Sequence, residues 1–212
     1  MQRNHRSGWG VTAGLWALSL IPVAAGIARV VSVARPTGDA PDSARFLASP
    51  TPVVIHVVAS IVYCLVGALQ FNPSFRNRHL ALHRAWGRPV MIAGFLAALS
   101  GLWMTAFYVI PAPLQGSLLV AVRLLVGVGM TAALWLSWRA VLQRDLPAHR
   151  DWAVRAYALG QGAGTQVLIL LPPTLAFGPM LGLRRDLLMT LAWCINVAVA
   201  ELIVRRSRRA TT

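Results

Sequence analysis

Apolar residues run in blocks of roughly twenty, and polar residues are confined to the short stretches between them. The blocks are Trp9–Val33, Val53–Phe71, Trp86–Ile110, Leu114–Trp138, Trp152–Leu171 and Asp186–Val204. A helix rises about 1.5 Å per residue, so each block can cross a hydrocarbon core about 30 Å thick. In lipid a lone segment satisfies its own backbone only as a helix. The pattern therefore predicts an all-α polytopic membrane protein with six transmembrane helices, forming one integral membrane domain over residues 1–212. The intervals are a basic tail (1–8), a linker (35–52), a basic loop (72–84), a tight turn at Pro111 and Pro113, a second basic loop (139–151), a loop (174–185) and an Arg-rich tail (205–212). Pro36, Pro41, Pro50 and Pro52 argue against helix in the linker, and Pro172-Pro173 predict the end of the fifth span. The first block begins like a signal peptide, with Val23-Ala24-Ala25 as a cleavage-like site. Its apolar run continues to Val33, so a retained helix is expected.

One phrase occurs twice. His83-Arg84-Ala85-Trp86-Gly87-Arg88 opens the third block, and His149-Arg150-Asp151-Trp152-Ala153-Val154-Arg155 opens the fifth. Each follows an apolar block and a basic loop. The repeated unit reads as a duplicated two-helix hairpin, giving a core of helices two to five from two related hairpins. It places two histidines and two tryptophans at matching depth on one face of the membrane.

Composition sharpens this picture. The chain is 57% hydrophobic and 12% charged, with mean hydropathy +0.61, which excludes a soluble domain of this size. The net charge is +14, and all twenty basic residues are Arg. In a soluble protein that charge would suggest nucleic acid. Here it lies in loops and at the termini, where it sets orientation and meets anionic lipid headgroups. Six spans place fourteen arginines on the side of the termini and five on the other, with Arg123 inside the fourth span. Both termini are therefore expected in the cytoplasm. Cys64 and Cys194 each lie within an apolar run and read as small buried hydrophobes rather than a disulfide.

The candidate chemistry centres on His83 and His149. If the third and fifth helices are neighbours, their imidazoles can face each other and hold the iron of haem b, with Arg84, Arg88, Arg150 and Arg155 meeting the propionates. The arrangement is similar to one half of the di-haem ascorbate-reducing cytochromes. Trp86 and Trp152 would fix the two helices at the interface. The competing reading makes the whole phrase an interfacial anchor. His79 and His83, at i, i+4, could form a small metal site with His149 as third ligand. On the other side, His56 and Arg123 could line one outward-facing cavity, or His56 could bond a backbone carbonyl while Arg123 snorkels. Glu201 could pair locally with Arg205 or act as counter-charge to the arginine layer, and Asp151 with Arg155 reads as another local pair. Gly160 and Gly164 form a small-xxx-small packing face, beside Gln161 and Thr165 as cross-helix hydrogen-bonding groups.

His56, Gly67-x-x-Gln70-Phe71, His83-Arg84-x-x-Gly87-Arg88, His149-Arg150-x-Trp152-x-x-Arg155-x-Tyr157-Ala158 and Trp193-x-x-Asn196 with Glu201 carry a resemblance. Across roughly residues 50–204 the chain resembles a bacterial multi-pass membrane family, domain of unknown function twenty-three zero-six. It departs from that pattern at Val90 and Ala153, where the family usually has Tyr and often Met. The resemblance implies a bacterial cytoplasmic membrane protein and a fold, with no established activity. Three function classes stand: a haem-binding electron-transfer protein working with quinone or a membrane redox partner, a non-enzymatic scaffold or assembly factor docking lipid or a partner through its Arg/Trp layer, and a small transporter.

Overall fold

Gly-Gln-Gly at residues 160–162 interrupts what the hydropathy pattern predicts as a single fifth span. The computed structural model describes residues 8–35 and 44–209. These form helices α1 (Trp9–Ala34), α2 (Ala44–Ala48), α3 (Pro50–Gln70), α4 (Pro73–Arg78) and α5 (Leu80–Phe107). They continue with α6 (Ser117–Leu142), α7 (Leu146–Gly160), α8 (Gly162–Phe177) and α9 (Gly182–Arg209). Among the described residues five helices, α1, α3, α5, α6 and α9, are long and apolar enough to cross a membrane. The expected fifth span is instead α7 followed by α8. Gln161 closes the last turn of α7, its N–H donating to Tyr157 O at 3.0 Å, and opens α8, its carbonyl accepting from Gly164 N–H at 3.1 Å. Flanking glycines lower the cost of the break, being poor helix formers.

Proline explains the other departures. Pro50, Pro73 and Pro147 stand in the first turn of their helices, where the missing N–H has no intrahelical partner to lose. Asn72 and Asp145 cap the helices that follow, accepting Phe75 N and Ala148 N at 3.0 Å each. The intervals 72–84 and 139–151, expected as loops, are therefore largely helical. Pro172 and Pro173 do not stop α8, which runs to Phe177, since a membrane helix tolerates proline when neighbours re-satisfy its backbone. The Arg-rich tail is the last turn of α9 as far as Arg209. Most of the expected tail at 1–8, linker residues 36–43 and residues 210–212 lie outside the described residues.

α3 packs on α5, α5 on α6, α6 on α7, and α7 and α8 on α9, while α1 lies against α3 and α8. The buried apolar cluster draws on α3, α5, α6 and α7, with Ala59, Ala93, Ala97, Ala98, Ala133 and Ala156 allowing close backbone approach. Tyr63 fills the space between α5 and α7: a Cβ at either Gly94 or Gly160 would stand 2.6 Å from its ring. The small-xxx-small face is thus used for packing, Gly160 against α3 and Gly164 against Leu18 of α1.

A polar knot ties α7 to α3 and α1. The Tyr157 hydroxyl donates to Cys64 O at 2.7 Å and accepts from Gln161 Nε2 at 2.8 Å. The Gln161 amide meets Ser19 Oγ at 3.2 Å, and Trp16 Nε1 of α1 donates to Leu65 O at 2.9 Å. Trp16 and Ser19 thus fasten α1, a single helix from Trp9 to Ala34, to α3 and to Gln161. Farther along, Thr165 Oγ1 donates to Asn196 Oδ1 at 2.8 Å. Tyr157→Phe removes two of these bonds. It should cost about 1–2 kcal/mol, the upper range of hydrogen bonds between membrane helices, read as a lower midpoint in denaturant titration of the detergent-solubilised protein. An unchanged midpoint contradicts the role given to Tyr157.

Candidate functional site

The two copies of the repeated phrase lie at one end of the bundle, one opening α5 and the other in α7, and α7 itself packs on α3, α6 and α9. α6 and α7 are joined by a tight reversal with Arg144 in the left-handed region (φ 60°). The reversal lays the start of α7 beside the end of α6, so buried Ser137 meets His149. His149 Nδ1 is 2.9 Å from Ser137 Oγ and 3.1 Å from Ser137 O, and the Ser137 hydroxyl also lies 3.1 Å from His149 O. Ser137 thus engages Nδ1 and not Nε2 of the ring. His83, in the first turns of α5, has His149, Arg76 and Arg84 within electrostatic reach. Its Nδ1 is buried and has no hydrogen-bond partner. Gln70 Nε2, at the end of α3, is buried without a partner as well.

His79 does not join this pair. It is the N-cap residue of α5 (φ −131°, ψ 54°), its carbonyl accepts His83 N–H at 2.9 Å, and its ring rests on Phe75 at 5.7 Å. Among the described residues no three His, Cys, Asp or Glu side chains group as a metal set. The free thiols are half-buried Cys64 and exposed Cys194.

The arginines divide. Arg84, Arg88 and Arg150 are exposed around the histidines, with Arg150 also reaching Ser207 Oγ of α9. Arg155 faces elsewhere: its Nε and NH2 donate to Glu201 at 2.6 and 3.0 Å, and its guanidinium lies 4.7 Å above the Trp152 ring. Asp151 accepts from Arg208 Nε at 2.7 Å. The expected local pairs, Glu201 with Arg205 and Asp151 with Arg155, are replaced by pairs between α7 and α9. The cause is that α9 runs along α7 and offers a two-pronged geometry that one helix surface lacks. The counter-charge reading of Glu201 is the one the geometry matches. A crevice of about 150 Å³ opens beside this ion pair, lined by Gly129, Ala133, Leu159, Val197 and Ala200. The two tryptophans differ despite equal positions in the phrase: Trp86 is 48% exposed, while Trp152 packs against the core.

At the opposite end the expected residues have separate partners. His56 Nδ1 lies 2.9 Å from Ala97 O and 3.2 Å from Ser100 Oγ on α5. Arg123 reaches Gln115 Oε1, so His56 and Arg123 share no hydrogen-bonding partner. Sequence reasoning missed Asp186. Its carboxylate is 1% exposed and accepts Gly116 N and Leu119 N at 3.3 Å each, capping α6 from another helix. A Cβ on Gly116 would stand 2.5 Å from Asp186 Oδ2, so that position must be glycine for the cap to form. The signal available was a lone acid directly after Arg184-Arg185, which by itself reads as the first-turn charge of its own helix. Tyr108, at the end of α5, donates to Ser49 O at 2.6 Å.

Glu201→Gln leaves Arg155 without its counter-charge and should lower stability by about 1–2 kcal/mol, a value discounted for partial exposure. Asp151→Asn should cost less, below about 1 kcal/mol, because Arg208 is mostly exposed and pairs in water. Thermal unfolding in detergent compares the two, and equal losses contradict this ordering.

A family model described as "Predicted membrane protein (DUF2306)" matches residues 53–204. No curated protein and no solved structure matches the chain. The matched segment runs from α3 into α9 and includes both histidines, Tyr157 and Gln161, and the Arg155–Glu201 pair. An all-helical chain with five apolar helices of membrane-crossing length, matched over most of its residues, belongs to this family of predicted membrane proteins of unknown function.

Proposed function

We propose that this protein crosses the bacterial cytoplasmic membrane six times, with both termini inside, and holds one haem b between His83 and His149 for electron transfer. α7 and α8 together make the sixth crossing. The Thr12–Asn72 and Asp151–Arg208 bonds gather the start of α1, the end of α3, the start of α7 and the end of α9 at one end of the bundle. That end carries most of the arginines, which favours the cytoplasmic side.

The observation that carries the haem reading is the state of the two rings. His149 is oriented through Nδ1 by Ser137, as metal-bound imidazoles are oriented by an outer hydrogen bond, and this leaves Nε2 for iron. His83 comes from a different helix, within reach of His149. Two axial ligands suffice for haem, so no third ligand is required. Bound there, haem b would supply a one-electron couple. Arg84, Arg88 and Arg150 can meet the propionates; Arg155, held by Glu201, is left to fix α7 against α9.

A second reading, a scaffold that docks lipid or a partner protein, is favoured by the exposed Arg84, Arg88, Arg139, Arg205 and Arg206 around the same end. The break at Gln161 would suit a transporter, but its polar side chains are engaged with one another. One experiment tests haem and orientation together. Inside-out vesicles carrying the protein should show a haem b band at once on adding a membrane-impermeant reductant, right-side-out vesicles should not, and His83→Ala or His149→Ala should abolish it. No band in vesicles from haem-replete cells ends the haem reading in favour of the scaffold. A band first in right-side-out vesicles reverses the orientation.

A further inference from the structure

The crevice beside the Arg155–Glu201 pair has a polar end and an apolar end. Trp152, Arg155 and Glu201 line it towards the arginine-rich end of the bundle, and Leu159 and Val197 line it about 6 Å deeper, one helical turn away. The gradient comes from the opposed course of two helices. Leu159 follows Arg155 by one turn on α7, which runs inward, and Val197 precedes Glu201 by one turn on α9, which runs back out. A small residue on α6 makes the room: a Cβ on Gly129 would stand 3.7 Å from Leu159 Cδ1, at ordinary contact distance. The volume, about 150 Å³, is that of a cavity that takes up benzene.

The ion pair at the polar end is closed but not saturated. Arg155 has five N–H donors and gives two to Glu201, whose carboxylate has about four accepting positions. Among the described residues neither side chain makes another hydrogen bond. Their side chains are 22% and 35% exposed, so both remain open to a ligand.

We propose that this crevice binds the head group of a membrane quinol, one ring hydroxyl meeting the Arg155–Glu201 pair and the alkyl tail leaving past Val197 into lipid. The inference goes beyond the haem reading and uses neither His83 nor His149. A hydroxyl donates and accepts at once, so a single group meets both the spare carboxylate position and the spare guanidinium N–H. An aromatic ring suits walls made of an indole and a guanidinium. Val197 is 44% exposed, which leaves a way out for the tail. A phosphate fits less well, because it would stand against the Glu201 carboxylate, and the nearby Arg208 is already held by Asp151. The oxidised ring accepts from Arg155 but has no proton to donate to Glu201, so the site prefers the reduced form.

The test titrates the full-length protein in detergent, without oxygen, and follows the thermal unfolding midpoint, whose rise with ligand gives an apparent Kd. The probes are decylplastoquinol, decylplastoquinone, dioctanoylglycerol and dioctanoyl phosphatidylglycerol. The quinol should raise the midpoint saturably and bind about tenfold more tightly than the quinone, as one hydrogen bond to a charged acceptor predicts. Gly129→Val should weaken quinol binding about tenfold by filling the crevice, and Val197→Phe serves if that variant does not fold. Glu201→Gln should erase the preference for the quinol, because its amide offers an N–H to the quinone carbonyl. The proposal is overturned by absence of a saturable rise in the parent, by equal affinity for quinol and quinone, or by binding indifferent to the filling variants. Gly129-dependent binding of phosphatidylglycerol in place of the quinol overturns it in favour of an anionic lipid. Dioctanoylglycerol binding as tightly as the quinol overturns it in favour of any hydroxyl-bearing lipid. The haem band is read separately, so its absence leaves the quinol site standing and loss of quinol binding leaves the haem reading standing.

Discussion

The hydroxyl of Tyr157 holds the architecture of the site in place. It donates to a carbonyl of α3 and accepts from Gln161, the residue at which α7 gives way to α8. In lipid no water competes for these groups, so a broken helix is tolerable only where side chains and neighbouring backbone satisfy the freed positions. Tyr157, Gln161 and Ser19 do this for one another, and the arrangement locks α7 to α3 and α1. From the same short helix the chain presents His149 two turns earlier and Arg155 on the side facing α9. Everything at that end inherits its position from this knot.

Charge is handled by a similar economy. Six acids face twenty arginines in the sequence, and the acids placed in or beside the bundle are used between elements. Glu201 takes Arg155 across α7 and α9, Asp151 takes Arg208 across the same pair, and Asp186 caps α6 from α9. Such bonds join helices distant in sequence, where local pairs would only stiffen a single helix. Arg84, Arg88, Arg139, Arg205 and Arg206 stay exposed at that end.

Much of this was legible in the sequence, and the rest failed for identifiable reasons. Hydropathy blocks located α1, α3, α5, α6 and α9 closely because lipid imposes one simple requirement on length and polarity. The duplicated phrase marked the two helices, α5 and α7, that carry His83 and His149. Pro50 was read as arguing against helix and Pro172-Pro173 as a stop, yet Pro50 starts α3, where its fixed φ suits a first turn, and α8 runs through both later prolines to Phe177. The interruption at Gln161 was invisible because its support, Ser19 and Cys64 O, lies far away along the chain. Ser137 raised no signal, since a serine in an apolar helix is ordinary until a histidine arrives beside it. Glu201 was left with two readings, a local pair with Arg205 or a counter-charge to the arginine layer, and only the packing of α7 on α9 brings Arg155 to it.

The central claim is that two histidines, one on α5 and one on α7, are held so that both can bind a single iron. Electron paramagnetic resonance of the oxidised protein, isolated from haem-replete membranes, tests it most directly. The account predicts a low-spin signal of bis-imidazole type that disappears in His149→Ala. A folded, haem-replete preparation with no such signal, or one whose signal survives that substitution, contradicts it.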